Sequence, residues 1–179
     1  MKTRLTQIIL AVIVCVAVVG IYFAITAPKK EAVSGENSEK AADYGNPNDP
    51  NGFFGSNFAT TTVAIGDTEI TVAIADSVDK QDKGLGSLNS MPEDTGMLFN
   101  FAIADNYEFW MKDMKFPLDI IWIDENNVIT YIEKNATPES YPNTFASDQN
   151  SLNVLEVNAG FADKHGINIG DSISISENY

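Results

Sequence analysis

After residue 58 the apolar residues fall into a period of two, and this restricts the chain to architectures built from strands. Ile70, Val72 and Ile74 alternate with Glu69, Thr71 and Ala73, the pattern of a strand with one buried face. A strand over 68–75 follows one over 60–65, and Gly66 and Asp67 supply the hairpin turn between them. Asp76 is placed to cap a short helix over 77–84, with Asp79 and Lys83 four apart on its surface and Gly84 at its stop. Beyond a loop at 87–94, residues 96–101 and 108–112 are further apolar segments. The stretch 119–124 pairs with 128–133 around Glu125, Asn126 and Asn127. A polar loop over 135–150 leads to a strand at 152–157, a short helix capped by Asn158 that ends before Gly166, and a last strand at 172–175. The expected fold is therefore mainly β, a compact antiparallel barrel or sandwich with two short helices, occupying residues 58–179.

The N-terminal part obeys different rules. Residues 8–25 carry no charge and are dominated by Ile, Val, Leu and Ala; as a helix they would measure about 27 Å, close to the thickness of a hydrocarbon core. A cleaved signal peptide has a shorter apolar stretch and a small-x-small cleavage site, whereas here Ala27 has Ile25 two positions before it and Pro28 after it. Cys15 lies inside the run behind Val14, which does not fit a lipid-attachment site. Residues 1–27 are thus expected to be an uncleaved signal anchor, a transmembrane helix. Lysines and arginines flank the run equally, so the positive-inside rule gives little. All 25 acidic residues follow the run, and the expected arrangement leaves the short N-terminal tail in the cytoplasm and the acidic domain outside. Residues 28–57 are rich in Pro, Gly, Asn, Ser, Glu and Lys. They are expected to be a flexible linker without apolar periodicity.

Charge and rare residues exclude several functions. The formal net charge is −14 in 179 residues, so nucleic-acid backbones are repelled and no nucleic-acid partner is expected. One Cys and one His rule out a disulfide framework and a zinc site built from several such ligands. Asn46, Asn48, Asp49 and Asn51 are interrupted by Pro50 and lack the bidentate acid of a calcium loop. Neither a metal nor a cofactor is expected.

Four side chains stand out. In the segment 109–112, Phe109 and Met111 share one face of a strand while Trp110 and Lys112 share the other. Asp119 begins a row continued by Ile121 and Ile123, and Glu156 interrupts Val154, Leu155 and Val157. Acids in apolar rows are costly unless paired or facing a cleft, and Lys112 is the natural partner of either. One reading is a structural ion pair of Lys112 with Asp119 or Glu156 in a passive protein-interaction module. A second is a noncatalytic ligand-binding cleft made by Trp110, Lys112, Asp119 and Glu156. There the indole is a platform and the carboxylates accept hydrogen bonds from hydroxyl groups, a combination suited to glycans. A third is a hydrolase acting on saccharides, with Asp119 and Glu156 as general acid and base. Binding is the leading expectation, and the sequence leans away from an enzyme. His165 suits the last turn of its helix, and Trp122 suits the core.

The ordered segments GLGSLNSMPEDTGMLFNF, FWMKDMKFPLDIIWID, VLEVNAG and GINIGD resemble the domain of unknown function 192 family, also called uncharacterised protein family 0127. The resemblance spans about residues 60–176. It carries over to Gly84, Leu85, Gly96, Met97, Leu98 and Phe99, to Phe109 through Lys112, to Pro117, Leu118 and Asp119, and to Glu156, Gly160 and Gly170. It implies a compact, mostly β domain, often exported or membrane-tethered, with no established activity. One departure stands out. Members usually carry an Arg shortly after the Gly-Leu pair, whereas this chain reads GSLNS there and has no Arg after Arg4, which weakens any role with an anionic ligand.

Overall fold

The computed structural model describes Phe54 and residues 57–176. The expected anchor at 1–27, and the expected linker apart from Phe54 and Asn57, lie outside them.

Among the described residues the fold has nine strands and two short α-helices, with a 3-10 turn at Pro138–Ser140. In chain order they are β1 (Thr60–Ile65), β2 (Thr68–Ala75), α1 (Val78–Lys83), β3 (Thr95–Asp105), β4 (Phe109–Trp110), β5 (Leu118–Ile123), β6 (Ile129–Ala136), β7 (Thr144–Phe145), β8 (Ser151–Asn158), α2 (Phe161–His165) and β9 (Ile173–Ile175). Seven strands form one sheet in the order β6-β5-β8-β3-β2-β1-β9, and β4 pairs with β7 in a separate ribbon. The mainly β expectation holds, and both hairpins fall where the turn residues put them. Gly66 turns the first with φ 58°. In the second, Asp124 accepts from the N–H groups of Asn126 and Val128 at 2.8 and 2.9 Å, and Asn127 takes a left-handed φ of 59°.

The sheet is not antiparallel throughout. β2 and β3 run parallel, because the chain between them passes through α1 and a loop long enough to return it to the same end. The sheet then curls into a half-barrel whose edges meet at one end. Val128 bridges Ser172, Ile129 donates to Asp171 at 2.9 Å, Gly170 donates to Ile129 at 2.8 Å, and Ile173 donates to Asn127 at 2.9 Å.

Strand alternation divides the core into two layers. On one face Val63, Val72, Leu98, Ile121, Leu155 and Val157 pack with Phe161, Ala162 and Ile167 from α2 and the turn after it; we call this the α2 face. On the other, Ala73, Met97, Phe99, Ile120, Trp122 and Val154 are covered by Leu85, Leu88, Met91 and Met111 from connecting segments; this is the loop face. Phe54, which falls in the stretch expected to be linker, is 2% exposed and packs in this second layer. The folded body therefore takes in a residue ahead of position 58.

Two helix caps differ from expectation. Asp76 does not cap α1; Ser77 holds that position, and Asp76 pairs instead with Lys80 at 2.6 Å. Asn158 does not cap α2, because Gly160 takes the N-cap position with φ 82°. The Asn158 amide donates to the carbonyls of Met91 and Pro92 at 3.1 and 3.0 Å, tying the covering loop to β8.

At Gly96, β3 lies close against β8. A Cβ there would lie 2.6 Å from the backbone oxygen of Glu156 and 3.1 Å from a methyl of Val157. Neither backbone can yield without moving a central strand. Gly96→Ala is expected to lower stability by roughly 2 kcal/mol, read as a drop in the urea midpoint; an unchanged midpoint would show that β8 is free to shift.

Candidate functional site

Glu156 sits in the middle of β8, and its neighbours across the sheet are Met97 on β3 and Ile120 on β5. Both are apolar and fully buried. The side chain is itself 5% exposed, and among the described residues its carboxyl has no hydrogen-bond or ion-pair partner. Burial alone pushes its pKa up to about 8, because the charged form loses water without gaining a compensating group. At neutral pH Glu156 is thus mainly a carboxylic acid, able to donate a hydrogen bond or to release a proton.

The carboxyl lies in a cleft of about 940 Å³ on the loop face. Aromatic rings wall it: Phe99 and Phe101 from β3, Tyr107 from the following turn, and Phe109 and Trp110 from β4. Phe109 is locked edge-on between Phe99, at 4.8 Å, and Trp122, at 5.8 Å. Trp122 is buried, as expected of a core residue, and its Nε1–H donates to the Tyr107 carbonyl at 2.9 Å, fixing the turn that carries Tyr107. Trp110 points the other way and is 53% exposed, steadied by an edge contact with Tyr141 at 6.0 Å. The expected split of segment 109–112 into a core-facing Phe109 and Met111 and a solvent-facing Trp110 and Lys112 is what the β4–β7 ribbon produces. The Lys112 ammonium stands 5.8 Å from the centre of the Trp110 ring, a cation–π distance.

Three of the four expected residues, Trp110, Lys112 and Glu156, line this one cleft. Asp119 does not. It pairs across the sheet with Val157, whereas Ile120 is opposite Glu156, so the two carboxyls project to opposite faces. Asp119 is fully buried on the α2 face. There it accepts N–H groups from Asn135 at 2.9 Å, Gly160 at 3.1 Å and Ala162 at 2.9 Å. Two backbone irregularities aim those donors: the left-handed Asn135, φ 55°, which lies in a register shift of the β5–β6 ladder, and Gly160 at φ 82°. Asp119 is therefore a structural tie between β5, β6 and the start of α2, and its expected place in the ligand site is corrected. The same geometry removes the acid–base couple of Asp119 and Glu156, since a substrate cannot reach both faces of one sheet. The expected ion pair is also missing: Lys112 bridges neither acid among the described residues.

His165 lies in the last turn of α2 as expected, its ring tilted against Phe161 at 4.4 Å with its Nδ1 3.1 Å from the Thr68 hydroxyl. Among the described residues no group of three or more His, Cys, Asp or Glu side chains is gathered closely enough to hold a metal. The cleft residues missed from sequence are the aromatic walls other than Trp110, namely Phe99, Phe101, Tyr107 and Phe109. The alternation of Phe99 with Phe101, and of Tyr107 with Phe109, was the available signal, because it places each pair on one side of its strand.

No curated protein matches the chain. Among solved structures it is similar to a proposed transcription regulator from Sinorhizobium meliloti 1021. The two are 30% identical with a TM-score of 0.62, over 66% of this chain and 95% of that one. It is also similar to a protein of unknown function from Novosphingobium aromaticivorans DSM 12444, at 28% identity and a TM-score of 0.59, over 65% of this chain and 84% of that one. Residues 61–175, which include every strand of the sheet but the first residue of β1, match DUF192, a family described as an uncharacterized ACR. The chain belongs to the DUF192 family.

Proposed function

We propose that the chain is a membrane-tethered, extracytoplasmic binding module whose cleft holds a small ring-bearing ligand, of the saccharide class, without transforming it. The observation that carries this reading is the combination of an exposed, laterally braced Trp110 with a buried, unpartnered Glu156 in one cleft. An indole offers a flat apolar surface to a sugar ring, and a carboxyl on the cleft floor fixes its orientation. The tether rests on the uncharged run at 8–25, and the outward placement on the acidity of everything after it. A noncatalytic role rests on the separation of Asp119 from Glu156 by the sheet. A purely passive module is disfavoured because the ion pair it requires does not form. The regulator description of the Sinorhizobium protein does not transfer as DNA binding to a chain with 25 acids against 11 bases.

Tryptophan emission tests the proposal. Trp122 is sealed and hydrogen-bonded, so a ligand-dependent change that is lost in Trp110→Ala is assigned to Trp110. Titration with glucosamine and N-acetylglucosamine oligosaccharides is expected to shift the emission and raise the melting temperature. Trp110→Ala should abolish the emission change while leaving the unliganded melting temperature within about 2 °C, as befits an exposed ribbon residue. No emission or thermal response to any saccharide at millimolar concentration would remove the reading.

A further inference from the structure

We infer that the ligand presents a protonated primary amine to Glu156, so that among saccharides the cleft selects amino sugars with a free amine over their N-acetylated or plain hydroxyl counterparts. This rests on the binding reading above and narrows it.

The floor of the cleft poses a problem that a cation solves. Glu156 is 5% exposed between Met97 and Ile120 and lacks a partner among the described residues. A carboxyl in such a place is satisfied best by a group that supplies both charge and hydrogen bonds, since charge-assisted bonds are about twice as strong as neutral ones. Among the described residues no side chain supplies that group to Glu156. Lys112 lines the same cleft, yet its ammonium stands over the outer Trp110 ring. The walls point the same way. Phe99, Phe101, Tyr107 and Phe109 add ring faces and edges, and the ring faces attract cations. Other ionisable groups bordering the cleft are Asp82, Lys83, Glu108 and Asp113; with Lys112 and the net charge of −14, the surroundings draw in cations rather than anions.

Binding then moves a proton. In the free protein Glu156 is held as an acid by burial; the entering ammonium stabilises the carboxylate, the carboxylic O–H bond breaks, and the proton passes to the buffer while the amine keeps its own three. A neutral ligand would instead accept a hydrogen bond from the acid and release nothing. The two cases separate by calorimetry of the full-length protein at pH 6.5 in two buffers of different ionisation enthalpy.

The glucosamine disaccharide is expected to bind with release of about one proton. It should bind roughly 10- to 100-fold more tightly than the di-N-acetylated disaccharide, which releases none. Glu156→Gln keeps the shape and neutrality of the floor, so this variant stays folded; it should lose that preference and the proton release while still binding the acetylated sugar. Equal affinity of wild type for the two sugars, or binding of the amine without proton release, overturns the inference and leaves the binding module standing. Binding of neither sugar overturns both.

Discussion

Asp119→Ala is expected to cost about 4 kcal/mol of stability, a large share of the 5 to 15 kcal/mol that holds a domain together. The carboxylate accepts three backbone N–H groups, from Asn135, Gly160 and Ala162, and all three come from segments with no regular ladder to fall back on. Removing the acceptor leaves buried donors without partners, which is the expensive direction of hydrogen-bond loss. Asp119→Asn should fall between, at about 2 kcal/mol, because one amide oxygen can still accept while the amide nitrogen faces a donor. Urea midpoints of the two variants measure this. If Asp119→Ala unfolds at the wild-type midpoint, the tie between β5, β6 and α2 carries no load and the residue must be kept for another reason.

Glu156→Gln is expected to act in the opposite direction and stabilise the unliganded protein by about 3 kcal/mol at pH 7, or roughly 10 °C in melting temperature. The sign follows from which state binds protons. Burial raises the folded pKa to about 8, against 4.5 for the free side chain. Below pH 4.5 both states are protonated and Glu156 costs nothing by this route. Between 4.5 and 8 the unfolded chain ionises while the folded one stays protonated, so stability falls with rising pH, and above 8 the penalty is complete. Glutamine does not titrate. The advantage of the variant should therefore vanish near pH 4, grow through neutrality and level off above pH 8. A constant difference across that range would show that the carboxyl is not held neutral by burial. A gain of that size would mean that the cleft floor keeps an acid where an amide folds better, which is what the proposed ligand role of Glu156 calls for.

Much of the fold could be read from local pattern. The period of two in β1 and β2, the Gly66 turn and the Asp124–Asn127 turn are properties of a few adjacent residues, and the structure reproduces them. The parallel pairing of β2 and β3 could not be read, since it depends on where the chain returns after α1 rather than on any residue within either strand. The caps failed for a related reason. Asp76 and Asn158 are sound capping residues in sequence, but Lys80 and the carbonyls of the covering loop compete for their side chains, and Gly160 leaves the donors at the start of α2 to Asp119. The candidate site was legible residue by residue and not as a constellation. Alternation places Asp119 with Ile121 and Glu156 with Val154, but only the register between β5 and β8 reveals that these rows lie on opposite faces.

The closure of the half-barrel bears on how this protein behaves in company. An open sheet carries unpaired amide and carbonyl groups along both margins, a template that a second molecule can extend. Here the chain around Asn127 and Ile129 meets Gly170, Asp171 and Ile173, so part of each margin is occupied by the other. What remains of β6 runs past Glu133 and Lys134 to the left-handed Asn135, where charge and a break in the extended line discourage further growth. The consequence is a β-rich domain that should resist fibrillar aggregation when crowded, with Val128→Pro, which breaks the seam at its bridge, as the change that would reopen it.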